Sequence, residues 1–189
     1  MTRTKRHLLL FALFGMTSYP TWGSEYASEL ASELIAMAEA DQQVRSTQPV
    51  DVAHVLSTDA AHSGRLSAIM AASGWPRVSV VGKPAADAAA LLALHADRAP
   101  QVQRQALALM LPLLGSGEVD ARKYAYLWDR THSPQRYGTQ GSCVGQRWYP
   151  DEIEEAPQVD SRRAAAGLGT LSEYVEAGSE MCAPAGAID

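Results

Sequence analysis

The chain has 189 residues, of which 16 are Lys or Arg and 21 are Asp or Glu, so its formal net charge at pH 7 is −5. This balance argues against nucleic acid or an anionic membrane as a general partner, because both bind basic surfaces. The length suits a single domain with a core of its own.

The first 23 residues have the three-part pattern of a secretory signal peptide. A basic start is followed by an apolar run over Leu8 to Met16, and Thr21-Trp22-Gly23 puts small residues at the cleavage positions. The run has nine residues, whereas a membrane span needs about 20. We therefore expect cleavage after Gly23 rather than a stable membrane anchor. The mature chain, with 13 basic and 21 acidic residues, is expected in the periplasm or outside the cell.

The mature chain is predicted to begin with one amphipathic helix over 24–44, because Leu30, Leu34 and Met37 recur at helical spacing. Residues 45–58 contain a proline and little periodicity, so we interpret them as a loop or linker. A second helix is predicted over 60–73 and is expected to end at a glycine.

Three valines at 78, 80 and 81 then favour a short strand. Pro84 suits the first position of a third helix. One face of that helix carries small apolar residues and a histidine, namely Ala85, Ala88, Ala89, Leu92 and His95.

The remaining helices are predicted from capping residues. Asp97 is expected to cap a fourth helix that contains Pro100, and Asp120 a fifth. Asp160 is expected to cap a short helix to residue 166, and the capping box Thr170-x-x-Glu173 begins a last helix to residue 177.

Between these helices, residues 136–149 alternate glycines with bulky residues and predict a β-hairpin or an ordered loop. The fold class is therefore mainly α, a multi-helix domain with one small β element after the signal peptide. The expected organisation is a signal peptide over 1–23, a helix and linker over 24–58, one helical domain over 59–178 and a flexible tail over 179–189.

The chain has two cysteines, Cys143 and Cys182. In an oxidising compartment such a pair favours a disulfide over two free thiols. The bond would connect the C-terminal segment to the middle of the domain.

The common metal, nucleotide and thiol-redox motifs are absent from the sequence, and we expect neither a cofactor nor a metal. The segment 141–145 has the spacing of a nucleophile elbow, but no helix pattern follows it. The acidic run over 151–155 has the oxygen ligands of a hard cation but lacks a calcium-loop pattern, which favours a solvated face.

A set of motifs between Asp59 and Tyr174 resembles a bacterial domain-of-unknown-function family. The resemblance implies no activity, cofactor or catalytic residue. Two features depart from the family pattern: the cysteines, and Ala61-His62 where an asparagine often occurs. The motifs are Arg65, Gly74-Trp75-Pro76, Val81-Gly82, His95-Ala96-Asp97, Pro100, Gln103, Tyr126-Leu127, Asp129-Arg130, Gln135, Tyr137-Gly138-Thr139-Gln140, Val159-Asp160, Arg162-Arg163, Gly167-Leu168 and Tyr174.

His95 is the candidate general base or ligand donor, since imidazole titrates near neutral pH. It is equally compatible with a structural role in the core. Arg162 and Arg163 occur at the start of a predicted helix, where the dipole does not favour positive charge, so a carboxylate or an anionic ligand is expected at one of them. The predicted ligand-binding residues are Arg130, Tyr137, Gln140, Arg162 and Arg163.

We therefore expect an exported domain that binds a small polar or anionic ligand in a pocket formed by these residues and His95. Two alternatives stay open. One is a hydrolase-type enzyme with His95 as general base, and the other is a protein-interaction or protective envelope protein. No nucleic-acid partner is expected, and the sequence identifies no protein partner.

Overall fold

Most of the chain folds as the helical spacing of its apolar residues predicts. The computed structural model describes residues 22–182; residues 1–21, which hold nearly all of the predicted signal peptide, and 183–189 lie outside them. The described helices are α1 (Trp22–Ser46), α2 (Val52–Ser73), α3 (Val78–Leu94), α4 (Pro100–Met110), α5 (Ala121–Thr131), α6 (Val159–Ala165) and α7 (Leu171–Glu180), and the strands are β1 (Gly141–Val144) and β2 (Arg147–Pro150).

The core lies around α3, which contacts α1, α2, α4 and α5. Ala85, Ala89 and Ala93 of α3 are completely buried, and their small side chains let neighbouring helices approach closely. Leu34 of α1 and Leu66 of α2 are also completely buried. The apolar face of α1 therefore packs on its own domain. None of the helices in the described part is long and apolar enough to cross a membrane.

The prediction of a loop over 45–58 holds only for residues 47–51, because α1 continues to Ser46 and α2 begins at Val52. The side chain of Asp51 accepts a hydrogen bond from the backbone N–H of His54 at 3.1 Å and caps α2 there. The first turn of α2 is exposed, so it carries little of the apolar periodicity that marks a buried helix face.

The predicted strand over 78–81 is a helical turn, and a break at Gly82 with φ 77° separates it from the rest of α3. Two backbone N–H groups of this turn bond to Glu118, one of them to the side chain. Val81 is buried. Tertiary contacts here override the preference of valine for strands.

Two predicted caps are wrong and two are confirmed. Ala99, not Asp97, is the N-cap of α4. Asp160 lies in the first turn of α6, and its carboxylate accepts from the backbone N–H of Leu171 at 2.7 Å. Both carboxylates have distant partners that the local sequence does not reveal. Asp120 caps α5, and the capping box of α7 is present.

The predicted β element is an antiparallel hairpin of β1 and β2. Cys143 of β1 and Cys182 form the predicted disulfide, with Cα atoms 5.7 Å apart. α7 extends past its predicted end to Glu180, because buried Gly178 packs against the Trp148 ring instead of ending the helix. The rest of the predicted tail, from 183, lies outside the described residues.

Candidate functional site

The predicted base His95 is held by an acidic residue that sequence reasoning missed. His95 is the C-terminal cap of α3, and its Nδ1 lies 2.8 Å from Oδ2 of Asp41 on α1. The Asp41 side chain is 1% exposed, whereas that of His95 is 24% exposed. Because a carboxylate only accepts hydrogen bonds, Nδ1 of His95 carries the proton and donates; in the neutral form of the ring, Nε2 is then the unprotonated nitrogen that can accept a hydrogen bond.

Asp41 also accepts from two neighbours on its own helix. Nη1 of Arg45 lies 2.6 Å from Oδ1, and Nε2 of Gln42 lies 2.8 Å from Oδ2. Burial alone would raise the pKa of Asp41, but the hydrogen bonds from His95 and Gln42 and the charges of His95 and Arg45 bring it below its ordinary value. Asp41 is therefore an ionised, buried orienting group.

The cluster around Asp41 extends to α2. The other guanidinium nitrogen of Arg45 pairs with Asp59 at 2.7 Å. His62 follows one turn later, and its buried Nδ1 has no hydrogen-bond partner among the described residues. Burial lowers the pKa of His62, while the negative charges of Asp41 and Asp59 oppose the shift. We call Asp41, Arg45, Asp59, His62 and His95 the His95 cluster.

Two residues after His95, Asp97 connects the end of α3 to α5. Its carboxylate binds Arg130 of α5, with Nε at 2.9 Å from Oδ1. Nη1 of Arg130 also donates to Oε1 of Gln140 at 3.3 Å. The hydrogen bonds from Arg130 lower the pKa of Asp97; burial opposes that shift, and the positive form of His95 adds to it. The two predicted ligand residues Arg130 and Gln140 are thus in contact, and Asp97 is within electrostatic reach of His95.

A buried carboxylate fixes the loop that carries Gln140. Asp129 is 4% exposed. It accepts hydrogen bonds from the backbone N–H groups of Arg136, Tyr137 and Thr139 and from the Thr139 hydroxyl, all at 2.8–3.2 Å. This arrangement accounts for Asp129 without a chemical role.

Buried Gln135 also stabilises this loop through hydrogen bonds of its side chain. Its side-chain amide bonds to the backbone carbonyl and N–H of Gln140, each at 2.9 Å. The position of Gln140 is therefore set by two buried polar residues, Asp129 and Gln135, rather than by a flexible loop.

The predicted ligand residues Arg162 and Arg163 hydrogen-bond to the same loop, but the prediction that they lie at the start of a helix is wrong, because both are in the last turn of α6. Arg162 donates to the carbonyls of Arg136 and Glu154. Arg163 is 1% exposed and donates to the carbonyls of Gly169 and Tyr137, both at 2.6 Å. Tyr137 contacts both Asp129 and Arg163 through its backbone. The structure thus does not bring Arg162 and Arg163 into the Asp97–Arg130–Gln140 network.

An open cleft of about 590 Å³ lies over that network. Thr131, His132 and Ser133 line it together with Arg130 and Gln140. This volume is in the usual range for small-molecule sites. We call this cleft the polar cleft.

Sequence reasoning missed Asp41, Arg45, Asp59 and His62. The spacing of Asp41 and Arg45 at i and i+4 is a weak signal of an ion pair on α1. The contact between Asp41 and His95 joins residues 54 positions apart. No local pattern indicates such a contact.

Together these features define a class of protein: a mainly helical domain with a disulfide-linked hairpin and a polar site where α1, α3 and α5 meet. The chain belongs to a family of unknown function, DUF6624, which matches residues 28–181. The match includes every residue of the His95 cluster and of the polar cleft. Comparison with curated proteins gave no match, and comparison with solved structures gave none either.

Proposed function

We propose that this protein is an exported domain that binds a small, uncharged, hydroxyl-rich ligand in the polar cleft, next to His95. The observation that carries the proposal is the Asp41–His95 pair, in which a buried carboxylate orients a partly exposed imidazole. Such an imidazole accepts a hydrogen bond from a ligand hydroxyl through Nε2. Arg130 and Gln140 supply further donors and acceptors in the polar cleft, which is also lined by Asp97, two residues after His95.

The charge balance of the site favours a neutral ligand over an anionic one. Arg45 pairs with Asp41 and Asp59, and Arg130 pairs with Asp97. Each arginine is therefore already neutralised by a carboxylate. A sugar-like ligand can bind such groups without bringing an uncompensated charge, which is costly to desolvate.

Binding is tested by titrating the protein with D-glucose, a neutral polyhydroxy probe, and following backbone amide signals by NMR. We expect the amides of Thr131, Ser133 and Gln140 to shift, and Arg130→Gln to weaken binding at least tenfold. The matched control is Arg65→Gln, because Arg65 is another exposed arginine paired with a carboxylate. No shift at these amides, or equal weakening in both variants, contradicts the proposal.

A hydrolase-type activity is the second candidate, and the Asp41–His95 geometry is the observation that favours it. An imidazole oriented by a buried carboxylate is a competent general base. Nε2 of His95 would take a proton from water as the water oxygen attacks an ester carbonyl. The carbon–oxygen bond to the leaving alcohol then breaks, and the alcohol oxygen takes the proton back from Nε2 of His95, which restores the base.

This activity is tested with p-nitrophenyl acetate, whose release of p-nitrophenolate is measured by absorbance. His95→Gln should lower the rate by roughly 10²-fold or more, which is the usual contribution of a general base. His54→Gln, at an exposed position of α2, should not. Equal rates for wild type and His95→Gln exclude the hydrolase.

The third alternative is an interaction protein that docks through the apolar face of α1. This face is not available to a partner, because Leu30 and Leu34 are buried against the domain's own core.

Export is supported by the N-terminal sequence pattern and, weakly, by the Cys143–Cys182 disulfide.

A further inference from the structure

A second cleft, of about 530 Å³, lies on another part of the domain. One wall is α5, with Lys123 and Tyr126, and the other is the turn from α6 to α7 with Gly169, together with the first turn of α7 with Tyr174. Arg163 also lines the cleft. Its residues differ from those of the polar cleft. We call it the Arg163 cleft.

Arg163 is a buried cation without an acidic partner. Its side chain is 1% exposed, and no carboxylate lies within ion-pair distance of it among the described residues. Backbone carbonyls accept from Nε and Nη1, and the Tyr174 ring lies 4.9 Å from the guanidinium carbon. Neither of these two hydrogen bonds uses Nη2.

A buried charge is costly unless it is compensated. Carbonyl dipoles and an aromatic face compensate Arg163 only in part. Both α6 arginines lie in the last turn of that helix, where the helix dipole favours positive charge. Hydrogen bonding to Thr170 lowers the pKa of Glu173, and the charge of Arg163 adds to that shift. Neither interaction is an ion pair, so an oxyanion in the cleft would give Arg163 a direct charge partner.

The cleft also contains a second cation that forms no ion pair in the described part of the chain. Lys123 makes no ion pair within the described residues, whereas Lys83 pairs with Asp87 and Arg122 with Asp120. The one other acid there is Glu173, whose carboxylate accepts from the backbone N–H of Thr170 at 2.7 Å. Lys123 and Arg163 are therefore the two cations in this cleft that no carboxylate pairs.

Tyr126 and Tyr174 give the cleft an aromatic wall. Their ring centroids are 6.2 Å apart in an edge-to-face arrangement. A ligand with a planar or apolar body can pack on this wall while its charged group reaches the two cations.

We propose that the Arg163 cleft binds a small organic molecule that carries an oxyanion group, a phosphate or a carboxylate. Arg163 and Lys123 bind the oxyanion, and the tyrosine wall contacts the organic part. This site is independent of the polar cleft and of its neutral ligand.

Isothermal titration calorimetry with phenyl phosphate and with benzoate tests the proposal on the full chain, and NMR locates the binding. We expect at least one probe to bind with Kd of about 1 mM or lower, to be displaced by added KCl, and to shift the amides of Gly169 and Thr170. The stronger of the two probes identifies the oxyanion. Phenol, which shares the ring but lacks the charge, should bind at least tenfold more weakly.

The decisive variant is Lys123→Gln, because Lys123 forms no ion pair within residues 22–182 that the substitution would break. We expect it to weaken binding of the stronger probe at least fivefold. The matched control is Arg104→Gln, at an exposed position of α4 with the same charge change, which should leave Kd unchanged. No binding by either probe, equal binding of phenol, or equal effects of the two variants overturns the proposal. So does binding that shifts the amide of Gln140 instead.

Discussion

Asp41 is the residue on which the geometry of the site depends. It is 1% exposed and neutralises Arg45 while it orients His95. Its lowered pKa means that the folded state favours the ionised form. Its contribution to stability is therefore present above the ordinary aspartate pKa of 3.8 and is lost as the pH falls through the lower folded-state value.

Asp41→Asn should lower the free energy of unfolding at pH 7 by about 2–4 kcal/mol, because it removes the negative partner of buried groups. Urea denaturation measures this change. Asp87→Asn, which breaks an exposed pair with Lys83, should cost less than about 1 kcal/mol. Equal losses in the two variants would mean that Asp41 has no special role.

His62 is expected to make the free energy of unfolding depend on pH as well, in this case because the fold favours the neutral form of a base. Burial lowers its pKa in the fold, so the unfolded chain takes up the proton first as the pH falls below 6.5. Stability contributed by neutral His62 is thus present above pH 6.5 and is lost between 6.5 and the lower folded-state pKa.

The measurement is the free energy of unfolding of wild type and His62→Gln at several pH values from 7.5 to about 5. The variant should lose less stability than wild type over this range, while exposed His54→Gln should follow wild type. Parallel curves for wild type and His62→Gln would show that the His62 environment does not affect its protonation.

At the scale of elements, the hairpin is built around a very close packing contact. A Cβ atom on Gly141 would lie 2.1 Å from the carbonyl oxygen of Tyr149 and 2.5 Å from the Trp148 ring. Trp148 is buried and packs edge-to-face with Tyr174 of α7, with ring centroids 5.3 Å apart. Gly141 therefore permits the hairpin to pack on α7.

Gly141→Ala should destabilise the protein by about 1–3 kcal/mol or more through overpacking. Gly64→Ala is the matched control, since Gly64 lies inside α2 with nothing within 4 Å of its Cβ position. That variant should gain up to about 1 kcal/mol from helix propensity. Thermal unfolding distinguishes them, and a neutral Gly141→Ala would contradict the packing argument.

The elements also show what a sequence can predict. Buried faces such as that of α3 repeat at helical spacing and were predicted. The first turns of α2 are exposed and carry little such signal, so they were interpreted as a linker. The turn at 78–81 was predicted as a strand because valine propensity is local, whereas its bonds to Glu118 are not.

The candidate site likewise combines residues that the sequence indicates with a contact that only the folded chain creates. Arg130 and Gln140 are ten positions apart, and each is a polar side chain within the motifs of the family resemblance, which makes both candidates in the sequence. Asp41 lies on α1, in a segment with an ordinary amphipathic pattern, and only the packing of α1 on α3 brings it to His95. Tertiary structure alone supplies that contact.

At the scale of the whole molecule, the disulfide joins the hairpin to Cys182, two residues after the end of α7. It spans 39 positions, and a closed loop of this length should stabilise the fold by about 3–4 kcal/mol. The double variant Cys143→Ser with Cys182→Ser should unfold at correspondingly lower urea concentration. Unchanged stability would indicate that the connection constrains the unfolded chain little.

Export is tested by expressing the full chain in a bacterium with a periplasm and sequencing the N-terminus of the product. We expect a product that begins at Ser24 and lies outside the cytoplasm. Leu10→Arg, which interrupts the apolar run, should leave an unprocessed chain in the cytoplasm. A wild-type product that keeps its N-terminal 23 residues contradicts the signal-peptide prediction.

The central claim is that Asp41 holds His95 with Nε2 free to accept a hydrogen bond from a ligand. Long-range ¹H–¹⁵N NMR of the histidine rings tests it most directly, because it distinguishes the protonated ring nitrogen from the unprotonated one. At a pH where His95 is neutral, we predict the proton on Nδ1 in wild type and loss of this preference in Asp41→Asn. A proton on Nε2 in the wild-type protein, or the same tautomer in both proteins, would contradict the account.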